Sequence, residues 1–291
     1  DKRPETIKGL RSIVIGTAHA MGSGVPEGFL YQPISTGYGM TQIFKNALKM
    51  DNTSRATEYR YKKNSFLYNW KKTLLKHKWD IAHTGVWGKP WKDTSGDKPK
   101  LYTQGFVDYV NKYGNIFSLD YASDGIEKFM GDIDIFFNDV YLAVKPTIFF
   151  CDSVTWNWTL KASGLYTNSI DDLNAASANT PFSHNFQSIA FKEFFGVKTN
   201  VISTPAGEIK LVKNKHLDGS NIAILGVNLN NARFRPLRGN GINRDTRIIP
   251  AVKSLEKDGE DRRVDLIQTE AGFEWRMPES HAIWTKANMS A

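Results

Sequence analysis

One cysteine stands in this chain of 291 residues, Cys151, so no internal disulfide can form, which fits an intracellular origin. No stretch approaches the roughly 18 consecutive apolar residues that a membrane-crossing helix needs. The opening DKRPETIKGL has no apolar core behind its basic residues, which excludes a secretory signal there. The short sequons at Asn52, Asn157 and Asn288 then carry no weight. Glycine and proline are missing from Thr53 to Thr84, and acid is nearly missing too. Between Arg55 and Lys78 only Glu58 opposes Arg55, Arg60, Lys62, Lys63, Lys71, Lys72, Lys76 and Lys78. That is +7 of a formal net charge of +8. Charge gathered so tightly is a candidate polyanion contact.

What fills that stretch has helical spacing. Ala56, Tyr59, Phe66, Trp70, Leu74 and Ile81 fall on one stripe. Ser54 can cap the start and Gly85 stop the end, predicting a helix over about 53–84, roughly 45–50 Å long at ~1.5 Å per residue. Lysines border the stripe on both sides, so the apolar line docks while two basic flanks stay wet. Lys63 and His77 interrupt the stripe, which predicts that part of this edge reaches water or another subunit. The plain alternative is a solvated surface helix whose lysines bind nothing.

Around this helix the chain changes character. Residues 1–45 are Gly-rich and weakly patterned, suited to an extended arm or hairpin. TQIF (41–44) reads as a strand, and 85–100 as a polar loop. Ile126, Phe129, Met130, Ile133 and Phe137 predict a second, acidic helix over about 124–141. TIFFC (147–151) reads as a buried strand, followed by a helix capped by Asp152 or Ser153 and ended by Gly164. Residues 165–185 read as a loop. Segments 197–203, 207–213, 221–227 and 262–270 read as strands, and the Arg-rich 233–247 as a loop.

Catalytic chemistry finds no purchase. Gly16 to Gly22-Ser23 has the wrong spacing for a phosphate loop and no Lys. Six histidines and one cysteine show no zinc spacing. Cys151-Asp152-Ser153 reads as a core thiol beside a helix cap rather than a nucleophile. Asp132 and Asp134 face apart on a helix. Trp70, Trp156 and Trp158 suit packing better than stacking on sugars or bases. No cofactor is expected.

The last third carries a resemblance. TPAGEIKLVKNKHLDGSNIAILGVNLNNARFRPLRG (204–239) precedes EKDGEDRRVDLIQTEAGFEWRMPESHAIWTK (256–286). The run resembles the carboxy-terminal region of tailed-phage major capsid proteins of the Hong Kong 97 fold, in particular a divergent group once known only as a domain of unknown function. Gly207, Ile222–Leu225, Arg235 to Arg238, Lys257-Asp258-Gly259, Glu270 and His281-Ala282 carry it. The motifs cover about 80 residues, the order of elements about 250.

The resemblance implies an α+β Hong Kong 97-like fold. Residues 1–45 would form an N-terminal arm and extended loop, and 46–120 a peripheral domain with the spine helix. Residues 121–247 would form an α/β axial domain, and 248–291 would return to the peripheral one. It implies a major head protein that self-assembles through hexamers and pentamers into an icosahedral shell around double-stranded DNA. Portal and decoration proteins would be further partners, assembly would occur in the host cytoplasm, and no membrane would be involved. The absent initiator Met fits a leading segment removed by a maturation protease.

Two site expectations follow. Lys62, Lys63, Lys71, Lys72 and Lys76 should touch phosphate on the inner face. Arg233, Arg235, Arg238, Arg244 and Arg247 should meet acids of a neighbour at a subunit boundary, such as Asp171, Asp172 or those of the acidic helix. The alternatives are a protein or enzyme acting on free nucleic acid through the basic helix, and a carbohydrate-binding β-rich protein using its tryptophans.

Overall fold

A computed structural model describes residues 18–25, 36–58, 60, 65–120, 126–136, 146–162, 190–194, 197–204 and 207–287. The chain divides into two units, residues 1–37 and 38–291. In the first, residues 18–25 are exposed, with one turn in which the Ser23 N–H donates to the Ala20 carbonyl at 3.1 Å.

The second unit begins with β1 (Gln42–Asp51), α1 (Asn52–Ala56) and α2 (Ser65–Trp87). A short hairpin of β2 (Trp91–Asp93) and β3 (Lys100–Tyr102) leads to α3 (Phe106–Tyr113) and β4 (Asn115–Leu119). Then come α4 (Ile126–Phe136), β5 (Ile148–Cys151) and α5 (Ser153–Ala162). Next are β6 (Ala190–Phe194), β7 (Val197–Thr204), β8 (Gly207–Lys213) and β9 (Ile222–Val227). The chain continues through β10 (Ala232–Pro236), the two-residue strands β11 (Arg238–Gly239) and β12 (Ile242–Asn243), and β13 (Arg247–Lys253). It closes with α6 (Leu255–Asp258), β14 (Arg262–Trp275) and β15 (Ala282–Lys286).

Seven strands form a mixed sheet in the order β4-β15-β9-β5-β8-β7-β6. β5 and β9 at its centre are apolar throughout because both faces are covered. On one face Phe149, Ile224 and Trp284 meet Phe129 and Ile133 of α4 and Trp156 and Trp158 of α5. On the other, Leu225, Val227 and Ile283 meet Phe106 and Val110 of α3, with Val86 and Trp87 of α2 at the margin. All six residues of β9 are buried, where a one-faced strand would alternate. Asp152 begins α5 as a side-chain cap, its Oδ1 accepting from Thr155 N at 2.8 Å. Its other oxygen takes the buried Lys286 ammonium at 2.6 Å.

The second sheet is built on β14. β1 pairs antiparallel along one side of it, from Gln42 opposite Ala271 to Asp51 opposite Arg262. β13 and β10 pair in succession along the other. α2 packs against β1 and β14.

Several sequence expectations change here. The helix expected over 53–84 comprises two described helices, α1 and α2. Thr57, where α1 ends, has extended backbone, and Asn52 at its start is tied to Asp261 by a side-chain hydrogen bond of 2.5 Å. Gly85 does not stop α2 but lies inside it, because the Phe273 ring sits where a Cβ would be, at 2.8 Å. The loop expected over 85–100 contains the end of α2 and begins the β2–β3 hairpin, and α3 was not foreseen. The described part of the second helix is Ile126–Phe136, and 165–185 lies outside the described residues. Residues 46–120 and 248–291 do pack together through β1, β13 and β14. Yet β4 and β15, expected in the part with the long helix, are neighbours in the seven-stranded sheet. Their apolar faces belong to its core.

Candidate subunit and nucleic-acid contact surfaces

The seat of the basic helix is polar at its centre. On α2, Phe66, Trp70, Leu74 and Ile81 turn partly inward, as the stripe predicts, but the buried residue among them is His77, 1% exposed. His77 therefore does not reach water, contrary to the expectation that it marks an open edge. Its Nδ1 lies 2.6 Å from Asn46 Oδ1 on β1, and its Nε2 lies 2.8 Å from Thr269 Oγ1 on β14. Asn46 Nδ2 donates to Asp80 at 3.0 Å, which leaves Asn46 Oδ1 as an acceptor. His77 Nδ1 thus carries the proton, and Nε2 accepts from the Thr269 hydroxyl. Thr269 in turn accepts from Thr246 Oγ1, 2.9 Å away. The chain of donors runs Thr246, Thr269, His77, Asn46, Asp80, joining three elements. Burial holds the His77 pKa below its usual value, against the pull of Asp80.

With that face seated, Lys71, Lys72, Lys76 and Lys78 are all exposed. Lys72 folds over the Tyr68 ring at 4.6 Å, so part of its length is held on the helix surface. The Phe66 ring lies between Arg55 and Arg263, each 5.2 Å from its centroid. Lys62 and Lys63 lie outside the described residues.

The Arg-rich segment is not a loop. Arg233 and Arg235 lie on β10, Arg238 on β11 and Arg247 at the start of β13, with Arg244 just after β12. β11 and β12 form a tight hairpin over Asn240 and Gly241, both at positive φ (48° and 75°), the conformation that an Asn-Gly pair accepts most readily. Three of the five arginines have acid partners within the chain. Arg235 pairs with Glu274, which Arg276 also holds; Arg244 pairs with Glu270; Arg238 lies 3.6 Å from Asp245. The Arg235 guanidinium keeps Glu274 below the usual carboxylate range. Arg233 and Arg247 are exposed. The acids proposed as acceptors are elsewhere: Asp171 and Asp172 lie outside the described residues, and Asp132 of α4 accepts from Trp284 Nε1 at 3.1 Å.

Among the described residues the candidate nucleophile is not placed for chemistry. Cys151 is fully buried, its thiol donating to the Val212 carbonyl at 3.6 Å, and burial pushes its pKa up to about 12. A thiol so protected is no nucleophile at neutral pH. Among the described residues no group of three or more His, Cys, Asp or Glu is placed to hold a metal, and no helix is long and apolar enough to cross a membrane.

Two large sheets, with a long helix laid on one of them, give a fold of the Hong Kong 97-like α+β class. The fold is shared with solved structures of phages. Against Mycobacterium phage Patience the TM-score is 0.51 at 10% identity, covering 93% of this chain and 79% of that one. Against Microbacterium phage Oxtober96 it is 0.51 at 10% identity, covering 85% and 73%. Mycobacterium phage Che8 gives 0.50 at 8% identity, covering 84% and 70%. No curated protein matches the chain. A profile of the SU10 major capsid protein matches residues 17–288, and the chain belongs to that family. It is a structural protein of the virion shell and not an enzyme.

Proposed function

We propose that this capsid subunit assembles through hexamers and pentamers into an icosahedral shell around double-stranded DNA, with the free flank of α2 facing inward. The observation that carries the reading is the two-sidedness of α2. One side is fixed to β1 and β14 through His77, while Lys71, Lys72, Lys76 and Lys78 all project to solvent. By sequence Lys62 and Lys63 extend the same charge. Four exposed ammonium groups with no Asn or Gln array beside them suit phosphate contact without base readout. Binding of this kind is salt-sensitive and indifferent to sequence, as a container needs.

In the same reading residues 1–45 clasp neighbouring copies, and Arg233 and Arg247, exposed among paired arginines, meet acids across a subunit boundary. Portal and decoration proteins complete the particle, which is built in the host cytoplasm. The peripheral part centres on α2 and the four-stranded sheet, the axial part on the seven-stranded sheet.

Replacing Lys71, Lys72 and Lys76 together with Gln tests the inward face. Shell geometry should stay unchanged, while duplex binding should weaken and the log–log salt slope become shallower by about 0.9 for each phosphate that is no longer neutralised. A particle reconstruction with these lysines on the outer surface would refute the assignment. Deleting residues 1–35 should leave soluble subunits that form no stable particles. Shells of normal stability would show that the arm is no clamp.

A further inference from the structure

Trp79, His83 and Trp87 lie four residues apart on α2 and therefore share one face of the helix. Opposite them is His216, in the single 3-10 turn Lys215–Leu217 between β8 and β9. Its backbone is held at both ends. His216 N donates to Asn214 Oδ1 at 3.0 Å, and Trp87 Nε1 donates to the His216 carbonyl at 3.1 Å. Trp79 stacks on His83 with centroids 4.7 Å apart and planes within 9°, and its ring lies 5.1 Å from that of His216. The two imidazoles are thus positioned by ring contacts that give neither Nδ1 a hydrogen bond.

That positioning leaves an anomaly. Nδ1 of His83 and Nδ1 of His216 are both buried and both lack a partner. Buried polar atoms in folded proteins are nearly always satisfied, and one left bare is destabilising. Two such atoms on adjacent rings suit one ligand shared between them. The ring centroids are 5.7 Å apart at 48°. Two imidazole nitrogens bound to one tetrahedral ion at ~2.0–2.1 Å would hold their centroids roughly 5–6 Å apart.

We propose that His83 and His216 form a two-imidazole site for a late first-row divalent cation such as Zn²⁺, Ni²⁺ or Cu²⁺. Imidazole suits these ions and not Mg²⁺ or Ca²⁺, which take oxygen. No third His, Cys, Asp or Glu completes the set among the described residues, so water fills the other positions. A cavity of about 200 Å³ lies on the His83 side of the pair, lined also by Gln42, Thr84, Lys89 and Thr103, and has room for water there. Bound there, the ion would tie the helix of one sheet to a turn of the other. In sequence the two ligands are 133 positions apart, so no spacing motif announces them.

The test uses the full-length chain, stripped of metal and titrated with Zn²⁺ by calorimetry. One saturable Zn²⁺ per chain is expected, with a rise in melting temperature. His83→Gln and His216→Gln should each weaken binding at least about tenfold, while His19→Gln leaves it unchanged. Should a variant fail to fold, Cu²⁺ added to the unaltered chain provides a second readout. Its electron paramagnetic resonance spectrum should show hyperfine coupling to two imidazole nitrogens. No saturable binding, equal binding by the variants, or coupling to fewer than two nitrogens would overturn the site.

Discussion

The two sheets are held by different means. The seven-stranded sheet is covered on both faces, and its centre is Phe149, Ile224, Leu225, Ile283 and Trp284, each no more than 2% exposed. The four-stranded sheet has α2 on one face, and its most buried members include Thr269, Asp265 and, from the helix, His77. Apolar packing predominates in the first, around one buried Lys286–Asp152 pair, while the second adds a relay of hydrogen bonds to the buried Phe44, Ile267 and Ala271. The difference lies in tolerance. Apolar packing survives small shifts with partial loss, whereas a broken buried polar chain strands several groups at once. The helix is thereby seated in one register, since moving His77 by a turn would separate it from both Asn46 and Thr269. For a long cationic helix, whose charges favour leaving the body, a register-specific seat is the more exacting choice.

That contrast can be broken at the apolar end first. Trp284→Ala should destabilise the chain by about 3–5 kcal/mol, read by denaturant unfolding, because the indole is fully enclosed. A loss below about 1 kcal/mol would show that the seven-stranded sheet does not carry the fold. Acid is the next probe. His281 is buried, accepting from Asn228 N through Nδ1 and donating through Nε2 to the Arg276 carbonyl. Burial lowers its pKa from 6.5 to about 4, despite the opposing effect of that carbonyl. The unfolded chain therefore binds the proton first. Stability should be full above pH 6.5 and fall by on the order of 2–3 kcal/mol as pH drops toward 4. His281→Gln should flatten that dependence, and an unaltered slope would place the titration elsewhere.

A smaller effect sharpens the comparison. His77→Ala should cost about 1–3 kcal/mol by leaving Asn46 and Thr269 without their partner. Hydrogen exchange should quicken in α2 and β1 while β9 stays protected, the signature of two separately stabilised regions. Uniform loss of protection would mean that the sheets open as one. Least of all, Lys71, Lys72 and Lys76 changed together to Gln should shift stability by no more than about 0.5 kcal/mol, since all three are exposed. A larger drop would assign these lysines to the fold rather than to a ligand.

The apolar region is also the more legible one. TIFFC, the Asp152 cap and the strands expected at 197–203, 207–213 and 221–227 are written locally, in largely apolar runs, although α3 and β4 of the same region are not. The polar region is not. His77 reads as a fault in a stripe because its partners, Asn46 and Thr269, lie 31 and 192 positions away. Gly85 reads as a stop because the Phe273 ring that requires it is equally remote. The arginines of 233–247 read as a loop because turn residues separate strands too short to show alternation. Their acids, Glu270 and Glu274, belong to a strand later in the chain. Of the candidate contact surface, the exposure of the lysines follows from helical spacing. The identity of the acids around the arginines does not.

The order of the strands has a consequence for synthesis. β1 pairs with β14, and β15 is inserted between β4 and β9. Each sheet therefore waits for a strand that leaves the ribosome after all of its partners. Until residues 262–286 emerge, β1 has no strand beside it, and β4 and β9 stand apart. The basic helix meanwhile lacks Thr269, half of its seat. Pairings this distant in the chain are slow to form, and here they are withheld until translation is nearly done. A shell built by mass action is poisoned by incomplete parts that still associate. A nascent chain of this topology cannot present both finished sheets until β15 has been made.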